Sequence, residues 1–251
     1  MTASTVPALL RDLLHQDPAR PLVTFYDDRT GERIELSVKS FENWVAKTAN
    51  LLQDELGAEP GDHVAVWLPA HWQSAVWMCA AAACGVVVSH EPDVDASVDV
   101  AVCGPDTLAA AAACGARDVV ALSLRPMGQG FDEALPDGAT DYARSVLAQG
   151  DTFLPLGAPD GEAAFLLTRR DRVSQRDLLG RARVRAGELG LHPAGRLLTD
   201  ANPADEGGFS GGLLAAMVTG GSLVLTRNPD PAAVDGRVAQ EQVTAQWWVA
   251  G

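Results

Sequence analysis

The chain has 251 residues, 47% hydrophobic and 21% charged, a balance that suits a folded globular protein and excludes disorder. Its formal charge of −14 argues against nucleic acid as a partner, because polyphosphate backbones are held mainly through lysine and arginine. The opening MTASTVPALLRDLL lacks a basic region and a continuous apolar core, so no secretory signal is expected, and the apolar run Ala75 to Ser89 falls short of the roughly 20 residues a membrane span needs.

Pro7 to His15 reads as a short amphipathic helix with Leu9, Leu10, Leu13 and Leu14 on one side. PLVTFYDD and TGERIELS follow as two strands around a turn at Asp27 to Gly31, a hairpin pattern. Ser40 is a candidate N-cap, with Asn43 in place of the glutamate of a full capping box. The helix it opens carries Phe41, Trp44, Val45, Thr48, Leu51 and Leu52 at helical spacing and stops at Gly57.

GDHVAVWLP, HWQSAVWMCAAAACG and VVVSHEP then form strand, helix and strand, the pattern of a right-handed crossover in a parallel sheet. VDVAVCG, DTLAAAAACGA and DVVALSL repeat it. Pro126 to Pro159 is rich in Gly, Pro and Asp and reads as a surface excursion with a helix at Tyr142 to Leu147. GEAAFLLT, a helix capped by Ser174, and GRLLTDA form a third unit; GGLLAAMVTGG and SLVLTRN add a helix and a strand, and DGRVAQEQVTAQWWVAG a last helix and strand. Strands of near-continuous Val, Leu and Ala alternating with helices predict an α/β fold, a mostly parallel sheet with helices on both faces. Cys79, Cys84, Cys103 and Cys114 form no CxxC pair and sit in Ala- or Val-rich surroundings, so buried, reduced thiols and no metal are expected.

From Pro21 to Pro92 the hairpin, the following helix, the GDHVAVWLP strand and the helix leading to an apolar strand and Pro92 resemble the opening of acyl-CoA synthetases and other members of the acyl-adenylate-forming, AMP-binding superfamily. VSQRDLLGRARVRAGELGLHPAGRLLTDANPADEGGFSGGLLAAMVTGGSLVLT resembles the region that follows that family's phosphate-binding loop. The resemblance implies the family's α/β scaffold over a single domain, 1–251, with first βα repeats at 1–125, a loop-rich connection at 126–160 and second βα repeats at 161–251.

The departures bear on activity. The family carries a Gly-rich loop ending in Pro-Lys between the strand and helix that here are joined by RRDRV, and no glycine lies between Gly161 and Gly180. Such a loop works by wrapping phosphates in backbone N–H groups. Arg169 and Arg170 are cations at that place, but with Arg172 they read as a solvated turn. Lys39 and Lys47 are the only lysines, whereas the resemblance implies a catalytic lysine on a later C-terminal domain, which is expected to be absent together with the ribose-binding and Mg-associated acidic residues.

The remaining candidates are few. Gly207, Gly208 and Phe209 lie in a Gly-rich segment that the resemblance places beside an acyl pocket, although Asp205 and Glu206 would serve the helix start themselves and repel phosphate. His71 and His90, the latter followed by Glu91, sit near strand ends and read as surface loop residues unless the fold brings them to a carboxylate. Trp247 and Trp248, at consecutive strand positions, face opposite sides and mark a candidate interface at the C-terminal edge, for a second copy or a protein partner. The expectation is a non-catalytic, cytoplasmic binding or interaction module on an adenylate-forming scaffold, without a cofactor. The alternative is a minimal or partner-completed acyl-adenylate-forming ligase using ATP or AMP. Arginine excess over lysine and alanine richness fit a bacterial, high-GC genome.

Overall fold

A computed structural model describes residues 3–90, 97–169 and 171–249. Strands β1 (Pro21–Asp27) and β2 (Glu32–Ser37) form the expected hairpin, and β1 pairs in parallel with β11 (Ser222–Arg227), Val23 opposite Leu223. β10 (Arg196–Thr199) and β12 (Ala245–Trp247) complete a five-stranded sheet in the order β12-β10-β11-β1-β2. The second sheet has seven strands: β3 (His63–Trp67), β4 (Val87–Ser89), β5 (Val100–Cys103), β6 (Asp118–Ala121), β7 (Ala139–Asp141), β8 (Ala164–Leu167) and β9 (Arg172–Ser174). Their order is β7-β6-β5-β3-β4-β8-β9. Both sheets are mostly parallel, with antiparallel pairs at β1–β2 and β8–β9. The α/β class expected from sequence is therefore realised in two sheets.

The core between them is built on α3 (Trp72–Cys84), every residue of which is buried. It touches β3 and β4 of one sheet and β1 of the other, which explains why its sequence is apolar all round rather than striped. Burial of Val76 or Met78 there contributes about 1.5–3 kcal/mol each. The helix stops at Gly85, whose φ of 72° is left-handed. α1 (Val6–Gln16) and α2 (Val38–Asn50) pack on α3.

Ser37, not Ser40, caps α2: its Oγ accepts from the Ser40 backbone N–H at 3.1 Å. β2 runs into the helix with no loop, so the strand's last residue is the one left in extended geometry to cap. The excursion after β6 contains β7 and α5 (Tyr142–Leu147), the latter at its predicted place. Asn50 and Gln53 hold the chain beyond it. Asn50 Nδ2 donates to the Gly150 and Thr152 carbonyls (2.9 and 3.0 Å), and Gln53 exchanges hydrogen bonds with Leu154 and Leu156.

α6 (Gln175–Glu188) begins with the predicted Ser174 cap, completed into a capping box by Asp177. It runs from β9 in the seven-stranded sheet to β10 in the five-stranded one, so the third unit joins two sheets. Wide π-type turns over Gly208–Leu214 lead into α7 (Ala215–Val218), and α8 (Val234–Gln240) precedes β12. Among the described residues all four cysteines are free. Cys79, Cys84 and Cys103 are buried, but Cys114 is exposed, because the Ala-rich α4 (Leu108–Ala113) lies on the surface and buries only Ala111. The expectations for Glu91, Pro92, Arg170, Ala250 and Gly251 fall outside the described residues.

Candidate functional site

β3 and β5 are adjacent parallel strands whose connections diverge. β3 leads to α3 and on to β4 on one side; β5 leads to α4 and on to β6 on the other. Such a switch in direction opens a crevice at the carboxyl ends of the strands, the place where open α/β sheets receive ligands. A cavity of about 340 Å³ lies there, lined by Trp67, Leu68, Pro69, Ala110 and Leu124, with His90, Asp106, Thr107 and Asn202 as its polar members.

Side chains fix its mouth. Thr107 Oγ1 donates to the Trp67 carbonyl (2.8 Å) and accepts from the Gly104 N–H (3.0 Å), tying the two strand ends together. Asn202 Nδ2 donates to the Leu68 carbonyl at 2.8 Å, reaching across from the segment after β10. The imidazole of His90 lies with Nδ1 2.7 Å from the Val66 carbonyl. A carbonyl only accepts, so Nδ1 carries the proton of that bond.

His90 also borders a neighbouring cavity of about 470 Å³, with Leu167, Thr168, Arg169, Asp205, Glu206 and Gly207. Its floor is the place where the family resemblance puts a phosphate-binding loop. The chain instead turns between Leu167 of β8 and Arg172 of β9, which are paired in register. The Thr168 N–H donates to the Asp171 carbonyl (2.9 Å), and the Asp171 N–H to Thr168 Oγ1 (3.0 Å). Those amides close the turn and are not presented as an anion nest. Arg169 and Arg172 are exposed, as expected of a solvated turn.

Asp205 caps the helical run on the far wall, accepting from the Gly208 N–H at 2.6 Å. Burial raises its pKa, opposed by the hydrogen bond from Gly208 and by the charge of His90. Glu206 is ion-paired with Arg181. Of the three residues singled out in this segment, Gly207 lines the cavity. Gly208 is pressed against the chain, so that a Cβ there would lie 1.9 Å from the Asn202 carbonyl oxygen. Phe209 is fully buried, its ring 5.8 Å from that of Phe165.

The two histidines diverge in role. His71 is buried rather than in a surface loop, since the chain turns inward after Pro69 to start α3. Its Nδ1 caps that helix by accepting from the Gln73 N–H, and its ring stacks edge-on to Phe25 at 4.6 Å. Its Nε2 is 4.0 Å from Glu32 Oε2, too far for a hydrogen bond. Burial, and secondarily the charge of Arg227, holds its pKa down to about 3. Glu32 is shifted upward by burial, against the hydrogen bond it accepts from Met127 N–H.

Trp247 ends β12 at the edge of the five-stranded sheet, with the Arg185 guanidinium 4.7 Å from its ring centre. Trp248 Nε1 donates to Gln246 Oε1 at 3.2 Å. Among the described residues no cluster of three or more His, Cys, Asp or Glu is arranged to hold a metal. Sequence reading passed over Trp67, Asp106, Thr107 and Asn202. The available signal was the doubled strand–helix–strand pattern, which locates a crevice once strand order is known.

A scaffold of two mostly parallel sheets around a buried helix, entered through the hairpin and the 63–89 crossover, is similar in fold to acyl-CoA synthetases. The family model described as "AMP-binding enzyme" matches residues 10–90. The fold aligns with an acyl-CoA synthetase of Brucella canis at a TM-score of 0.80 and 18% identity, covering 97% of this chain and 47% of that one. It aligns with a fatty acyl CoA synthetase of Mycobacterium tuberculosis at 0.73 and 14%, covering 96% and 48%. The chain thus spans about half the length of the solved structures it matches. A Mycobacterium tuberculosis protein described as "TIGR03089 family protein" is 42% identical over 247 residues, 94% of this chain and 95% of its own. The chain belongs to the TIGR03089 family.

Proposed function

We propose that the protein is a non-catalytic binding module on an adenylate-forming scaffold, with the crevice between β3 and β5 as its ligand site. The observation that carries the reading is the short connection between β8 and β9, where the Thr168 and Asp171 N–H groups bond to each other's residue instead of standing free for a phosphate. Catalysis of phosphoryl-group chemistry rests on positioning and charge stabilisation, and a turn closed on itself supplies neither. The capped and ion-paired Asp205 and Glu206 oppose a phosphate on the facing wall. No helix among the described residues is long and apolar enough to cross a membrane, and we place the protein in the cytoplasm of a bacterium.

The test is ATP–pyrophosphate exchange with a panel of aliphatic and aromatic carboxylic acids. Exchange indistinguishable from a no-protein control supports the reading. Turnover with any acid overturns it and restores a ligase, whether minimal or partner-completed. The β12 edge with Trp247 and Trp248 is the proposed association surface. Light scattering at micromolar concentration should show a species larger than the monomer, and a clean monomer with no recoverable partner removes that part.

A further inference from the structure

We propose that residues 123–130 form a gate on the crevice between β3 and β5, clasped shut by the Glu32 carboxylate. The purpose of the gate rests on reading that crevice as a binding site, whereas the clasp stands on its own geometry.

The segment leaves the seven-stranded sheet after β6 and closes on itself. Ser123 Oγ donates to the Gln129 carbonyl, and Arg125 Nη1 donates to the Gly130 carbonyl at 3.1 Å. Gly128 N–H returns to the Arg125 carbonyl, also at 3.1 Å. A loop tied across its own base moves as one body. Its Leu124 lines the crevice beside Pro69 and Gly104, so close that a Cβ on Gly104 would lie 3.0 Å from Leu124 Cδ1. Moving the loop therefore removes a wall of the crevice.

Backbone strain runs through the same loop. Leu124 and Met127 have φ of 53° and 60°, in the left-handed region that bulky residues enter only under constraint. The Met127 side chain is 78% exposed and gains no packing that would hold this shape. Gly128, set against Trp72, offers no side chain to grip. What holds the loop is an amide: Met127 N–H donates to Glu32 Oε1 at 3.1 Å, at the first residue of β2 in the other sheet. Beyond the ion pair of Arg125 with the adjoining Asp132, it is the one polar contact from 123–130 to the rest of the fold among the described residues. Strain held by a single clasp defines a loop with two positions.

The open position leaves Glu32 with a partner. His71 Nδ1 accepts from Gln73 N–H, so its neutral ring carries the proton on Nε2. That nitrogen is buried without a hydrogen bond and lies 4.0 Å from Glu32 Oε2. A carboxylate released by Met127 needs to shift by only about 1 Å to meet it. Asp27 and Arg227 are the other charged groups acting on Glu32.

Amide hydrogen exchange on the full chain tests the clasp, with the Leu124 methyl resonances reporting on the crevice side. Glu32→Ala is expected to speed exchange at Met127 at least about tenfold and to shift the Leu124 methyls, while the amides of β1 and α3 keep their rates. Glu32→Gln, which retains an acceptor oxygen, should stay closer to the parent than to the alanine variant. Met127→Asn, a residue that enters the left-handed region more readily, should slow exchange at that position several-fold after correction for intrinsic rates. An acceleration in Glu32→Ala short of about tenfold, one shared by β1 and α3, or unmoved Leu124 methyls would each overturn the gate. A Met127→Asn protein exchanging as fast as the parent or faster would do the same. Pyrophosphate exchange would overturn the non-catalytic reading of the crevice and leave the clasp standing, so the two failures are distinguishable.

Discussion

Gly208→Ala tests the packing of the wall between the two cavities. The added Cβ would lie 1.9 Å from the Asn202 carbonyl oxygen and 2.9 Å from its nitrogen, where real Cβ atoms essentially never come closer than 3.0 Å. The obstacle is backbone, so at least 1.1 Å of relief, the difference between 3.0 and 1.9 Å, has to come from displacing a chain segment. That segment is pinned: Asn202 donates to the Leu68 carbonyl, its Oδ1 accepts from Ala204 N–H, and its carbonyl accepts from Asp205 N–H.

Overpacking of this kind costs about 1–3 kcal/mol and more where backbone must move, so about 3 kcal/mol is expected here. For a chain of this size that lowers Tm by roughly 6–12 °C. Gly207→Ala is the control one residue away. Gly207 is already helical at φ −64° and ψ −50°, and a Cβ there meets only Asp205 Oδ1 at an ordinary 3.6 Å. Replacing a helical glycine should stabilise by about 0.4–1 kcal/mol. Thermal melts followed by circular dichroism read both. A Gly208→Ala protein melting within about 2 °C of the parent, or a Gly207→Ala protein that is the weaker of the two, would refute the reasoning.

Further outcomes concern charge and thiols. His71, held neutral with a pKa of about 3, has a folded value below its unfolded one. The unfolded chain therefore takes up the proton first, and stability is lost as pH falls below about 6.5, by about 2 kcal/mol at pH 5; a His71→Asn variant should show a shallower loss in urea midpoints over that interval. Glu241 is pushed up by burial but pulled further down by Tyr26, Arg33 and Arg196. Its contribution is present above the ordinary glutamate pKa and fades as pH falls through its lowered folded value, so Glu241→Gln should flatten the acid limb of stability below about pH 4.5. Under native conditions a thiol reagent should label Cys114 alone, because Cys84 and Cys103 are buried with thiol pKa values pushed up to about 12 and Cys79 is raised further by the same burial. Labelling of a second cysteine before unfolding would contradict that picture.

Local signals were legible wherever a short segment decides its own structure. The Tyr142–Leu147 helix, the Ser174 cap and the His63–Ser89 crossover are of this kind. Strand-to-sheet assignment was not, because it depends on partners far along the chain. β1 pairs with β11, about two hundred residues later, and nothing in GRLLTDA distinguishes a strand bound for that sheet from one bound for the other. The RRDRV run concealed a strand for a related reason: β9 has only three residues and is defined by its pairing with β8. The burial of His71 followed from packing against Phe25, which no spacing encodes. The crevice itself joins Trp67, Thr107 and Asn202, brought together by strand order alone.

Calorimetric titration of the full chain with Mg-ATP is the most direct test of the central claim. The closed turn between β8 and β9 predicts no saturable heat of binding up to millimolar nucleotide. A saturable isotherm with a micromolar Kd would show that the scaffold still grips the triphosphate, and would contradict the account.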